Sequence, residues 1–107
     1  MAYKKTTFIP HGKDVELDGV FVPTSEETLA VVNQSTEQGR RWQLVIPALG
    51  VAVNEGKRFT SQAKAIAYGR RVLDRVLPLE LRQLGDDPFS MPVPMLRSVL
   101  QRVNALN

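Results

Sequence analysis

Through residues 1–60 the apolar positions mostly alternate with polar ones, and beyond residue 60 they recur every three or four. A strand-rich half is therefore expected to precede a helical half. Near the start, "YKKTTFI" reads as a strand. The stretch "DVELDGVFV", residues 14–22, reads as a β-hairpin, because a two-residue Asp18-Gly19 turn sets Leu17 opposite Val20 and Val15 opposite Val22 on one apolar face. A calcium-binding loop competes for Asp14, Glu16, Asp18 and Gly19. It fails on its surroundings: its twelfth position falls on Ser25 instead of a bidentate carboxylate, and Pro10, Gly12 and Pro23 leave no room for flanking helices.

Residues 24–34 admit two readings. Thr24 and Glu27 have capping-box spacing and Glu26 adds a first-turn acid, so a short helix is favoured; the β-branched Thr28, Val31 and Val32 support a strand "TLAVVN" instead. Further on, "RRWQLVI" and "GVAV" read as strands interrupted at Pro47, and "NEGK" turns the chain into a short "KRF" strand, which together predict a three-stranded meander. The helical period is strongest over residues 61–77, opened by Thr60 or Ser61 and closed at Pro78. At about 100° per residue its Ala65, Ile66, Gly69, Val72, Leu73, Val76 and Leu77 share one core-facing arc. A short helical turn, "LELRQL", is expected to stop at Gly85, and residues 85–94 form a proline-rich connector. A last helix from Pro94 to Leu106 carries the stripe Met95, Leu96, Val99, Leu100, Val103 and Leu106.

These elements predict an α+β fold in which small antiparallel meanders and hairpins are packed by two to three helices. The expected organisation is one domain over residues 1–107, strand-rich to residue 60 and helical from 61. With 43% apolar and 23% charged residues, a chain of 107 can bury a core without staples. It contains no cysteine, so disulfides, thiolate metal sites and a cysteine nucleophile are excluded. The start, "MAYKKTTF", lacks an apolar leader, and the longest nearly apolar run, "LVIPALGVAV", is about half a membrane crossing. A soluble cytoplasmic protein with no membrane partner is expected.

Catalytic chemistry finds little support. The single histidine, His11, sits in the loop sequence "PHGK" with no evident partner; Asp86 and Asp87 precede Pro88 as a turn pair. Glu26 and Glu27 read as helix-start acids rather than a paired-carboxylate site. No nucleophile elbow, zinc-protease, phosphate-loop or dinucleotide motif occurs. The expectation is a non-catalytic protein without cofactor or metal.

Charge changes the picture. The net charge is +3, but residues 1–56 carry five Lys/Arg against seven Asp/Glu, whereas residues 57–82 carry seven against two. On the 61–77 helix Lys64, Arg71 and Arg75 fall within about 40° of one another, with Tyr68 beside them. Asp74 can answer Arg70 or Arg71, which leaves Lys64 and Arg75 without a local partner; Lys57 and Arg58 extend the surface from the preceding turn. Cations interleaved with an aromatic suit a phosphate backbone, so Lys57, Arg58, Lys64, Tyr68, Arg71 and Arg75 are the candidate binding residues and nucleic acid the leading partner. The competing class is a protein-interaction module of the phage or plasmid accessory type, docking an acidic protein on this face or self-associating as a homodimer through its C-terminal helix.

The run from Arg41, a tryptophan-led strand, a second strand, a turn and then "RFTSQAKAIAYGRRVL", resembles in layout the arm-type, AP2-like DNA-binding domains of tyrosine recombinases over about 35 residues. That resemblance implies a sheet entering the major groove, with Arg40, Arg41, Gln43, Lys57 and Arg58 available to it. Pro47 and the apolar "VIPALGVAV" depart from the pattern and point to a sheet buried on both faces.

Overall fold

Among the described residues six strands form where the β-branched and aromatic residues concentrate, and they pair into one antiparallel sheet. A computed structural model of the chain describes residues 3–10, 12–33, 41–86 and 93–104. The strands are β1 (Lys5–Phe8), β2 (Leu17–Phe21), β3 (Ala30–Asn33), β4 (Trp42–Ile46), β5 (Val51–Ala52) and β6 (Arg58–Phe59); the helices are α1 (Gln62–Leu73), α2 (Pro78–Asp86) and α3 (Val93–Asn104). The expected α+β class is thus the observed one. His11, Arg40, Asp87, Leu106 and most of the proline-rich connector lie outside the described residues.

The hairpin expected at Asp18-Gly19 is not formed. Both residues lie inside β2, which pairs with β1 through Thr7↔Asp18 and Thr6↔Gly19 and with β3 through Gly19↔Val32. Glycine serves here by having no side chain rather than by turning: a Cβ at Gly19 would lie 2.3 Å from the Val31 carbonyl oxygen and 2.8 Å from Val32 Cγ1. With no turn, alternation sends Leu17 and Phe21 to one face of the sheet and Val20 to the other, where Val22 also packs.

The short helix favoured over residues 24–34 is likewise absent; the alternative strand is present as β3. Side-chain oxygens capture the backbone that a helix would have used. The fully buried Ser25 hydroxyl lies 2.7 Å from the Val22 carbonyl oxygen and accepts from Leu29 N–H, while Thr28 Oγ1 donates to the Ser25 carbonyl. Thr24 and Glu27 form no capping box. Thr24, Glu26 and Glu27 all adopt positive φ, and the two acids form ion pairs across the fold, Glu27 with Lys4 and Glu26 with Arg82.

The predicted three-stranded meander is also revised. β5 pairs with the end of β4 (Val45↔Ala52, Ile46↔Val51) and β6 with its beginning (Trp42↔Phe59, Gln43↔Arg58), so they share one edge, interrupted by a 3-10 turn over Val53–Gly56. The strands of the sheet thereby present two apolar faces. One carries Val31, Leu44 and Ile46 against Ala65, Ile66 and Val72 of α1, Leu81 of α2, and Val99 and Val103 of α3. The other holds a second cluster of Phe8, Ala30, Val32 and Val45, packed by Leu17, Phe21 and Ala52.

Helix α1 starts where Ser61 accepts the Lys64 N–H at 3.2 Å. It packs closely because Gly69 has no side chain to meet Val22 and Leu44. It ends at Leu73 rather than at residue 77. Residues 74–76 form a turn that keeps Val76 in the core and leaves Leu77, the residue before proline, 63% exposed. Leu77 N–H then donates to Glu80 Oε1 at 3.1 Å, half of a capping box for α2, which takes in Gly85 instead of stopping there. Arg102 of α3 reaches back to the same carboxylate through two bonds, 3.1 and 2.6 Å, and to the Arg75 carbonyl at 3.4 Å. This clasp joins all three helical segments. Val99 and Val103, the members of the predicted α3 stripe whose side chains are described, are spent in their own chain's core.

Candidate binding surface

Two surfaces flank the start of α1. The first is cationic. Lys64 and Arg71 lie on the exposed side of the helix, within about 20° of each other, and Arg75 follows on the exposed turn beyond its end. Lys57 joins them from the other side: its ammonium sits 5.2 Å from the Tyr68 ring centroid and 5.8 Å from that of Phe59. Tyr68 itself is not available to stack on a ligand. It is 4% exposed, tilted against Phe59 at 5.1 Å between centroids, and its hydroxyl accepts a bond from the Asn54 amide at 3.1 Å. The buried arc of α1 thus extends one position further than periodicity indicated, and the tyrosine holds a lysine in place.

Arg58 is not brought to this surface. Its register with Gln43 puts it on the opposite face of the sheet from α1. Arg70, which the sequence offered to Asp74, is exposed and has no carboxylate partner among the described residues. The ion pairs among the described residues join Lys4, Arg82 and Arg102 to Glu27, Glu26 and Glu80. Arg70 and Arg71 instead border, with Asp74, Thr24 and Pro78, a cleft of about 470 Å3 at the helix's far end.

The second surface is a ledge of about 710 Å3 on the α1 side of the sheet, beyond the helix's cover. Lys5 and Thr7 of β1, Asp18 of β2, Asn33 of β3 and Gln62 at the head of α1 surround it, and the partly buried Trp42 forms one wall. Asn33 and Trp42 are cross-strand neighbours, and Trp42 is paired on its other side with Phe59, the ring beneath Lys57. Sequence reading missed the ledge because a turn at Asp18-Gly19 would have separated β1 from the residues it pairs with. The available signal was the alternation of Lys5 and Thr7 with Thr6 and Phe8.

The sheet face away from α1, which an arm-type layout would send into a major groove, is largely apolar, with Arg58 exposed at its β6 edge and a cleft of about 400 Å3 lined by Phe8, Leu17, Gln43 and Ala52. Ala30, Val32 and Val45 are fully buried there, and Gln43 is only 8% exposed. No family model matches the chain, and neither does any curated protein or solved structure. No helix among the described residues is long and apolar enough to cross a membrane.

Proposed function

We propose that the chain is a small non-catalytic binding protein that engages nucleic acid through phosphate contacts from Lys57, Lys64, Arg71 and Arg75, with Arg70 alongside. One observation carries this reading: these cations are exposed, and none of them belongs to an ion pair among the described residues. A solvated helix face is the ordinary alternative for scattered lysines and arginines. Here the cations gather around one helix, and the Lys57 ammonium lies over an aromatic pair that includes Tyr68 of that helix. Phosphate contacts position a protein without reading sequence, so affinity should be modest and indifferent to base order.

Fluorescence anisotropy on unrelated oligomers over a salt series tests it. Four contacts give a log-log slope of about −3.6, from roughly −0.9 per neutralised phosphate on duplex DNA. Changing Lys64, Arg71 and Arg75 together to glutamine should leave the fold intact and flatten the slope by about 2.7 on the same basis. No binding at low salt with tens of micromolar protein would end the nucleic-acid reading.

A protein partner is the second reading, and it has its own observation. Leu77 and Leu79, 63% and 59% exposed, flank Pro78 at the corner between α1 and α2, close in sequence to Arg75. Exposed leucines beside cations suit an acidic protein with an apolar anchor. Capture of such a partner, lost on changing both leucines to serine but insensitive to nuclease, would favour it.

A further inference from the structure

We infer that the ledge beside α1 receives an unpaired nucleobase, so that the protein prefers single strands to duplex. The inference rests on the nucleic-acid reading above and specifies what that reading leaves open. Three observations lead to it. The wall is the indole of Trp42, the only tryptophan in the chain. Large flat π-faces suit base stacking, which tolerates every base. Around it stand a carboxylate (Asp18), two amides (Asn33 and Gln62), a hydroxyl (Thr7) and an ammonium (Lys5), a mixed set of donors and acceptors that matches the polar edge of a base.

Charge decides which part of a nucleotide enters. Asp18 repels a phosphate but accepts from an exocyclic amino group, and neither it nor Lys5 belongs to an ion pair among the described residues. The phosphates therefore belong outside, where the cations are. Position agrees: Phe59 neighbours Trp42 across the β4–β6 pair and lies 5.8 Å from the Lys57 ammonium, while Gln62 of the ledge precedes Lys64 by two residues on α1. A strand with one base on the ledge thus has its backbone led toward Lys57 and Lys64. Stacked bases within a duplex present no free face, so duplex DNA gains only the phosphate contacts.

The test uses the full chain with a labelled twelve-nucleotide single strand, the same sequence as duplex, and free nucleoside monophosphates. Labelled-strand anisotropy and Trp42 emission are read in parallel. The expected result is a preference for the single strand on the order of tenfold, the value of about one stacked base. Trp42 emission should be altered by the single strand and by millimolar monophosphates, and unaffected by duplex. The double variant Asn33→Ala, Gln62→Ala should lower the preference while keeping the duplex affinity and its salt slope; retained circular dichroism and melting temperature show that it is folded. Trp42→Phe, which keeps a ring at the wall, should retain part of the preference.

Equal binding of both forms with unchanged Trp42 emission overturns the ledge and leaves the phosphate reading standing. If neither oligomer binds, the monophosphates decide alone. A saturable change in Trp42 emission that the double variant shifts to higher monophosphate concentration sustains the ledge as a base site even as the phosphate reading falls, and no change overturns both.

Discussion

Replacing Gly19 by alanine tests the architecture most directly, because it separates two roles a glycine can have. Gly19 is in the middle of β2 with β1 on one side and β3 on the other. A methyl group there would sit 2.3 Å from the Val31 carbonyl oxygen, 3.1 Å from its carbon and 2.8 Å from Val32 Cγ1. Ordinary contacts of this kind need more than 3 Å, so β2 and β3 must part by roughly an ångström, measured against the normal carbon–carbon spacing of about 3.5–4.0 Å. That strains the ladder around Gly19↔Val32 and pushes β2 toward the edge strand β1. Overpacking of this sort costs about 1–3 kcal/mol, and one weakened hydrogen bond about 1 more. The opposing term is the reduced freedom of the unfolded chain, about 0.4–1 kcal/mol in alanine's favour. Destabilisation wins by about 2 kcal/mol, which for a domain near this size lowers the melting temperature by about 8–16 °C. Thermal unfolding followed by circular dichroism, with urea titration as a check on the slope, measures it. The companion Gly19→Asn distinguishes strand from turn: asparagine accepts the left-handed backbone of a tight turn but fits this strand even less well than alanine. An asparagine variant that melts with the wild type would show that the strand assignment and the close contact are both wrong.

Two further outcomes follow from the helical half. The Glu80 carboxyl is held below the usual carboxylate range by the Arg102 hydrogen bonds first and the Leu77 N–H second. Its contribution is then fully present above the ordinary value of 4.5 and lost as pH falls through the lower folded value; the gap in melting temperature between wild type and Glu80→Gln should be constant near neutrality and close in acid, and a gap independent of pH would remove the clasp from the account. Val99→Ala should cost about 2 kcal/mol, since the side chain is fully buried against the core shared with α1; a change in oligomeric state without loss of stability would instead place α3 in an intermolecular interface.

Local chemistry made some elements legible and hid others. Ser61 as cap, Ala65, Ile66 and Val72 as core face, and the break near Pro78 follow from periodicity and capping alone, because a helix satisfies its own backbone. Strands depend on partners. Asp18-Gly19 is a strong local turn signal, yet pairing on both sides of β2 overrode it, and that single error concealed the ledge that Lys5, Asp18, Asn33 and Trp42 assemble from four strands. Residues 24–28 failed differently: Thr24, Glu26 and Glu27 were read as helix-start chemistry, but the hydroxyls of Ser25 and Thr28 bind nearby backbone groups and hold a turn. Among the candidate binding residues, Lys57, Lys64, Arg71 and Arg75 are exposed. Tyr68 was misplaced because a helical wheel cannot show that Phe59 and Asn54 come to meet its edge.

The order of the sheet bears on how the chain acquires it. From β1 to β4 each strand pairs with the one next to it in sequence, and only β6 returns past a neighbour to reach β4. Such sequential pairings close short loops, which favours rapid folding and lets a nascent chain build its sheet strand by strand as it leaves the ribosome. The helix-facing side of that sheet, with Val31, Leu44 and Ile46, stays open until α1 has been synthesised. A chain ending near residue 60 would therefore leave that apolar side without the cover α1 gives it, and transiently exposed apolar surface of this kind favours aggregation.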